Sequence, residues 1–548
     1  LKLKPMNNSL NNLTLGFYMS IIELKEYNDG SMIKKLKEEE DCPKMLLTIC
    51  NFAFTNMIQS LMAQLDAEFV SKPGRPAYPR TLLLIVVLYC FSIDITNYTK
   101  MEEECRKNKF LLIVTCGLKP TRNTFANFLN NSDAEIIKKV FVSTLVLLND
   151  LHFLDFVKLF VDGTDALVRG SRYYKISVKE LDALIQVHEW GLLHNNTSSS
   201  INRTINGLKE KLEIFENDKE MCKTINLALK RVKIYNYNVY SKKDIYLKVM
   251  VERDVDSVSI TFPEACWMKT KRGIFDFAFN LQELMTENHI ILAGILLAEP
   301  NDQKTIKYVL KNLYKTIELF IKMQREFGQR WNTREIRKRM REHILIADSG
   351  YFTTENLYYL FIHKINALIM PKKIAEEHNN KLRRENEHEE KRKDSNRKGF
   401  ERVKNGYTCP IGRFMRHLDP IEINHRKPHE DDNLPDICKK KRHIFKTYSC
   451  KGCPRSENCI KIIEDRISDL IFDMTNKFLD KRHNIHYKSR FSRSEGINGF
   501  LKGDDGILKL IGTTKNAVDN EIQLRNTIYN LTRQVNLTDT AYLTLKHY

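Results

Sequence analysis

No apolar run in this chain reaches the roughly 18 residues that a membrane-spanning helix needs. The longest, Leu82 to Ile93, has the length of a buried helix, which argues against a membrane protein. The first residues lack the charged, apolar and small-residue pattern of a signal peptide, so a cytoplasmic protein is expected. Acidic residues are in deficit: 69 Asp+Glu face 88 Lys+Arg, a net charge of +19. That excess points to a polyanionic partner, nucleic acid before membrane. In a reducing compartment the 12 cysteines should be thiols or metal ligands and not disulfides. Residues 372–400 are almost devoid of apolar side chains, so they read as a solvated helix or linker without chemistry.

What is present divides along the chain. At 548 residues and 42% hydrophobic content, more than one domain with a sizeable core is expected. Residues 1–135 carry helical periodicity and are expected to form an all-α N-terminal domain that contacts DNA. Its last segment, "GLKPTRNTFANFLNN", suits either a helix-turn-helix reader or a plain bundle. Apolar β-rich runs follow at Phe156–Leu167, Gly273–Leu284, His289–Pro300, Ile344–Ala347 and Asn366–Pro371, interleaved with helices. That order predicts an α/β core with a mixed sheet over residues 150–371 joined by 463–535. A charged helical insertion is expected at about 175–250, and a small cysteine-bearing β insertion at 401–462. Closing helices are expected at about 463–482, 492–502 and 515–533.

Two of the strands end in the same way. "LFVDGT" and "ILIADSGY" each run from apolar residues into an aspartate and a turn, at Asp162 and Asp348. A carboxylate at a buried strand end is costly unless it is paired, hydrogen-bonded or bound to a cation. Asp348 can be a helix or turn cap, and that reading stands beside the cation one. Two strand-end aspartates would make half of a two-Mg²⁺ site, for which the usual third protein ligand is another carboxylate. The candidate is Glu495 in "HYKSRFSRSEGINGFLK", which at helical spacing shares a side with Lys502. Ser492 and Glu495 also match a capping box, the alternative that needs no metal. Tyr487 and Arg490 crowd the same stretch.

With these residues in view, the sequence resembles the DDE transposases of bacterial insertion sequences, in the group with an InsH-type N-terminal domain. "GRPAYPRTLLLIVVLYCFSIDITNYTKMEEECRKN" is similar to that domain's motif. "VDGTDA", "PEACWMKTKRG", "FAFNLQ" and "ILIADSGYFTTENL" follow in the family's order. Tyr487, Arg490, Glu495 and Lys502 match its tyrosine–arginine–glutamate–lysine signature. After Asp162-Gly163-Thr164 the chain departs from the family's usual lysine and Ala/Asn-rich run, reading "DALVRGSRYY". The resemblance implies an RNase H-like fold with Asp162, Asp348 and Glu495 as the catalytic triad holding Mg²⁺ or Mn²⁺. Tyr487, Arg490 and Lys502 would then contact DNA. It further implies double-stranded DNA with terminal inverted repeats and a target DNA as partners, a homodimer on DNA, and a nucleoid-associated bacterial protein. A plain RNase H-like nuclease and a degenerate copy that only binds DNA are the alternatives.

The cysteine segment stays open between two readings. Cys450-x-x-Cys453 followed by Cys459, with Cys409 upstream, suits a four-cysteine Zn²⁺ site stapling a segment too small for its own core. Unligated thiols are the other reading, and Cys438 is the reserve ligand. The remaining seven, Cys42, Cys50, Cys90, Cys105, Cys116, Cys222 and Cys266, sit on apolar patterns and read as packing residues.

Overall fold

The computed structural model describes residues 31–67, 78–195, 197–328, 333–372, 374–375, 399–418, 420–422, 434–447, 450–455, 459–488, 499–502 and 508–546. The fold is mixed α/β, and its main sheet is mixed. The sheet contains β1 (Lys158–Leu167), β4 (Cys266–Lys269), β5 (Phe275–Thr286), β6 (Ile291–Leu297), β7 (Ile344–Ala347), β8 (Ala367–Ile369) and β15 (Leu508–Lys509). Its order is β4-β5-β1-β7-β8, with β6 also on β5 and β15 also on β1. β7 lies parallel to both β1 and β8, whereas β4 and β5 form an antiparallel hairpin. All four residues of β7 are buried, as expected of an apolar run in a parallel sheet.

The chain forms two compact units. One comprises residues up to 144, 165–281 and 501 onward, and the other 145–164 and 282–500. In the first, the helix Arg80–Ser92 buries every residue from Arg80 to Phe91, since a helix apolar on all sides must be surrounded. Asn516 and Asn520 of the long helix Lys515–Lys546 donate to the backbone carbonyls of Leu129, Asn130 and Ser132. The closing helix therefore packs with the N-terminal helices. The helical insertion has its own core, including Leu184, Leu208, Ile225, Tyr235 and Tyr246. It is closed by β2 (Lys175–Ser177) pairing antiparallel with β3 (Ser257–Ser259).

The second unit carries the cysteine-bearing sheet. Its strands are β9 (Glu401–Val403), β10 (Gly406–Thr408), β11 (Phe414–His417), β12 (Ile421–Glu422), β13 (Lys441–Lys446) and β14 (Ile462–Ile467). The order is β12-β13-β11-β10-β9, with β14 on β13, around Tyr407, Cys409, Met415, Phe445 and Ile463. β14 corrects the helix expected at 463–482. Residues 462–467 pair along the whole of β13, and the helix starts at Asp469, capped by Ser468. Among the described residues no single helix is long and apolar enough to cross a membrane. Two short helices, Lys44–Ala53 and Asn56–Ala67, pass that test only as a pair bent by 69°. Most of the expected charged linker lies outside the described residues.

Candidate active site

β1 and β7 bring the two aspartates into correspondence. β1 runs on to Leu167, so Asp162 stands within the strand and not at the strand end and turn that its sequence suggested. Asp348 does follow the last residue of β7. Lys158 pairs with Ile344, Leu159 with Leu345, and Phe160 with Ile346. Two residues further along each chain stand Asp162 and Asp348. Parallel neighbours lie about 4.8 Å apart, and residues two apart share a face, so continuing this register puts both residues at one level on one face of the sheet. The two belong to the same compact unit. Asp162 Oδ1 accepts from the Gly163 amide at 3.1 Å. Asp348 Oδ1 accepts from the Gly350 amide at 2.8 Å, capping the short turn Ser349–Tyr351. The capping role foreseen for Asp348 is therefore real, and it leaves the carboxylate at the strand end.

A third carboxylate lies beside Asp348, and sequence reasoning did not single it out. It is Asp302, in the turn that follows β6. A Cβ placed on Gly350 would stand 3.0 Å from Asp348 Oδ1 and 3.2 Å from Asp302 Oδ2, so both carboxylates border the same side of this glycine. Asp302 is held by Gln282 of β5, whose Nε2 donates to Asp302 Oδ1 at 2.6 Å. Gln282 is fully buried, and its Oε1 accepts from Tyr351 Oη at 2.6 Å and Thr305 Oγ1 at 3.2 Å. Asn356 Nδ2 then donates to the Asp302 and Tyr351 carbonyls. One buried amide thus fastens the Asp302 turn to the Asp348 turn. Among the described residues no three His, Cys, Asp or Glu side chains are grouped as ligands of one metal, here as elsewhere. The signal for Asp302 was present: "ILLAEPND" is again a strand running into a polar turn and an aspartate.

The remaining site candidates fare differently. Glu495 and Arg490 lie outside the described residues. Tyr487 ends the helix Lys481–Lys488, is 3% exposed, and packs edge-on against Phe478 with ring centroids 4.9 Å apart. Its ring packs within the core of the unit. Lys502 falls in a helical stretch, 499–502, and is half-buried.

Cys409, Cys450, Cys453 and Cys459 all line one small cavity of about 20 Å³, with Arg413, Arg455 and Lys461 beside them. Cys409 is thus on the same cavity wall as the other three. Its sulfur accepts from the Arg413 amide at 3.3 Å. Gly412 and Gly452 take left-handed φ of +82° and +71°, the tight turns such loops require. Among the described residues, however, no three His, Cys, Asp or Glu side chains are grouped as ligands of one metal. Cys438, the reserve, is buried in its own turn and is not among the cavity's lining residues. Of the cysteines read as packing residues, Cys50, Cys90 and Cys105 are buried, whereas Cys42, Cys116, Cys222 and Cys266 are half-buried. Burial pushes the Cys50 and Cys105 thiols up to about 12, which leaves them inert.

No protein-family model matches this chain, and no curated protein and no solved structure matches it either.

Proposed function

We propose that this chain is a DNA transposase of an insertion sequence, binding element ends and carrying out metal-dependent cleavage and strand transfer. One observation carries the reading: Asp162 and Asp348 follow the paired positions Phe160 and Ile346 by the same two residues on adjacent parallel strands. In this reading the two carboxylates hold Mg²⁺ or Mn²⁺, and Glu495 completes the set. The metal supplies activation of water or a DNA 3′-hydroxyl and stabilises the departing oxygen. The chain's own part is to fix the carboxylates, through the Gly350 amide at Asp348 and through Gln282 at Asp302. The net charge of +19 supports a DNA partner, and a homodimer on paired ends belongs to the same proposal. Structural Zn²⁺ among Cys409, Cys450, Cys453 and Cys459 is part of it too, supported by their common cavity.

The test uses purified full-length protein, Mg²⁺, and a duplex carrying the DNA that flanks the gene. Cleavage confined to matched inverted repeats, followed by joining to a second DNA, is the expected result. Cutting that ignores the ends would make the protein a plain nuclease. Binding without cleavage would make it a DNA-binding protein only.

A further inference from the structure

The β4–β5 hairpin presents a feature that the proposed cleavage site does not use. Trp267 is directly opposite Phe277 and Lys269 directly opposite Phe275, so all four side chains share one face of the hairpin. Phe277 is buried beneath, but Trp267 stays 37% exposed and Phe275 50% exposed. The two exposed rings lie nearly parallel, with an interplanar angle of 22° and centroids 6.2 Å apart. Leaving two large aromatic side chains in water costs hydrophobic free energy, so such a shelf asks for an occupant.

The charges around the shelf indicate what kind. Lys175 of β2 places its Nζ 4.8 Å above the Trp267 ring, and Lys269 flanks Phe275 across the hairpin. The hairpin tip, Thr270 to Gly273, exposes Lys271 and Arg272 on a turn that Gly273 closes with φ of +79°. Two carboxylates stand near the hairpin. Asp276 points to the opposite side from Phe275 and Phe277 by strand alternation, and Asp165 Oδ2 accepts the Lys271 amide at 2.5 Å. The hairpin is also firmly rooted. Arg253 donates to the Ala265 carbonyl at 3.3 Å and to the Glu264 carbonyl at 2.5 Å, and Met268 is buried.

We infer that this hairpin face binds a nucleic-acid strand with unpaired bases, stacking a base on the Trp267–Phe275 shelf while Lys175, Lys269, Lys271 and Arg272 take its phosphates. Aromatic faces ringed by cations suit single strands, because every base offers a π-face and every nucleotide a charge. Paired bases stack on one another and do not offer theirs to the shelf. The inference rests on the reading of this chain as a DNA-acting protein.

The test is titration of the full chain with a 20-nucleotide single strand and with the blunt duplex of the same sequence, following tryptophan emission and anisotropy. The single strand should quench emission, and the duplex should not. Trp267→Phe should remove the quench while holding affinity within about threefold, because the ring is kept. Trp267→Ala should weaken single-strand binding at least about fivefold, the lower end of base–aromatic stacking, with its circular dichroism unchanged. An unquenched wild type that still binds DNA, or a folded Trp267→Ala protein of wild-type affinity, overturns the inference and leaves the DNA-acting reading standing. Equal quenching by the duplex overturns the assignment to unpaired bases. A protein that binds neither DNA overturns both.

Discussion

Asp302 and Asp348 border the same side of Gly350: a Cβ there would meet Asp302 Oδ2 at 3.2 Å and Asp348 Oδ1 at 3.0 Å. The two belong to different turns, one after β6 and one after β7, yet Gln282 ties those turns together through Asp302 Oδ1 and the Tyr351 hydroxyl. The position of Asp348 therefore depends on residues far from it in sequence.

Gly350→Ala tests that crowding. The added methyl falls at distances tighter than ordinary carbon contacts, and both neighbouring carboxylates are already hydrogen-bonded in place. The expected result is a modest loss of stability, about 1 kcal/mol as for mild overpacking, with a larger proportional loss of DNA cleavage. Thermal unfolding and a cleavage assay on the same preparation check it. Unchanged cleavage would show that the turn has room to adjust.

Gln282 should matter more to the fold than any single partner. Gln282→Leu removes the 2.6 Å bonds to half-buried Asp302 and to the buried Tyr351 hydroxyl. Losing both should cost about 2–3 kcal/mol. Tyr351→Phe should cost less, about 1 kcal/mol, because Thr305 still donates to Gln282 Oε1. Comparing the unfolding midpoints of the two variants checks the order.

The cysteine cavity makes a stoichiometric prediction. Purified protein should carry one Zn²⁺ per chain by elemental analysis, and Cys409→Ser or Cys453→Ser should release it. Cys438→Ser should not, since Cys438 does not line the cavity with the other four. Metal-free protein of full activity would reduce the four to ordinary thiols.

His443 gives the cysteine-bearing sheet a dependence on pH. It is 1% exposed, stacks on Phe472, and meets His417 Nε2 through its own Nδ1 at 3.1 Å. Burial pulls its pKa below the usual 6.5, although Asp469 and Asp465 oppose that shift; Arg402 reinforces it. The folded state holds this ring neutral, so below about pH 6.5 the unfolded chain binds a proton that the folded chain does not. Stability should therefore fall as pH drops below 6.5, until the folded pKa is passed. His343, also buried with a lowered pKa, adds a slope of the same sign. Glu464, held down to about 2 chiefly by its hydrogen bonds from Arg442 and Arg466, acts only below its usual 4.5. Unfolding midpoints at pH 7.5 and 5.5 should show the loss, and His443→Asn should flatten it in part.

How much of this was legible follows from what each signal depends on. The strand–aspartate–turn pattern is local and reads correctly at Asp348, whereas at Asp162 the strand runs on to Leu167, because Gly163 and Thr164 fit an extended, buried strand as well as a turn. Asp302 carries the same local pattern, but its significance lies in Gln282, and no local pattern shows that a glutamine on one strand bridges two turns. Residues 462–467 were read as helix because "IIEDRI" suits either period; their pairing with Lys441–Lys446 decides for a strand. Tyr487 was named through the signature it shares with Arg490, Glu495 and Lys502, and no local pattern showed that its ring packs on Phe478, nine positions earlier on the preceding helix. The Cys450, Cys453 and Cys459 spacing is local, whereas Cys409 lies 41 residues before Cys450 and its place on the same cavity depends on the β10–β11 turn, which no spacing shows.

Cleavage of element-end DNA by Asp162→Asn and Asp348→Asn proteins tests the central claim most directly. Each substitution keeps the side chain's size and hydrogen-bonding capacity but removes the charge that a divalent cation needs. Both variants should bind end DNA as tightly as the wild type, or more so, and keep its unfolding midpoint, while cleavage in Mg²⁺ or Mn²⁺ falls to background. A variant that still cleaves at a wild-type rate would contradict the account, because Asp348 would then be a turn cap and Asp162 a strand residue and nothing more.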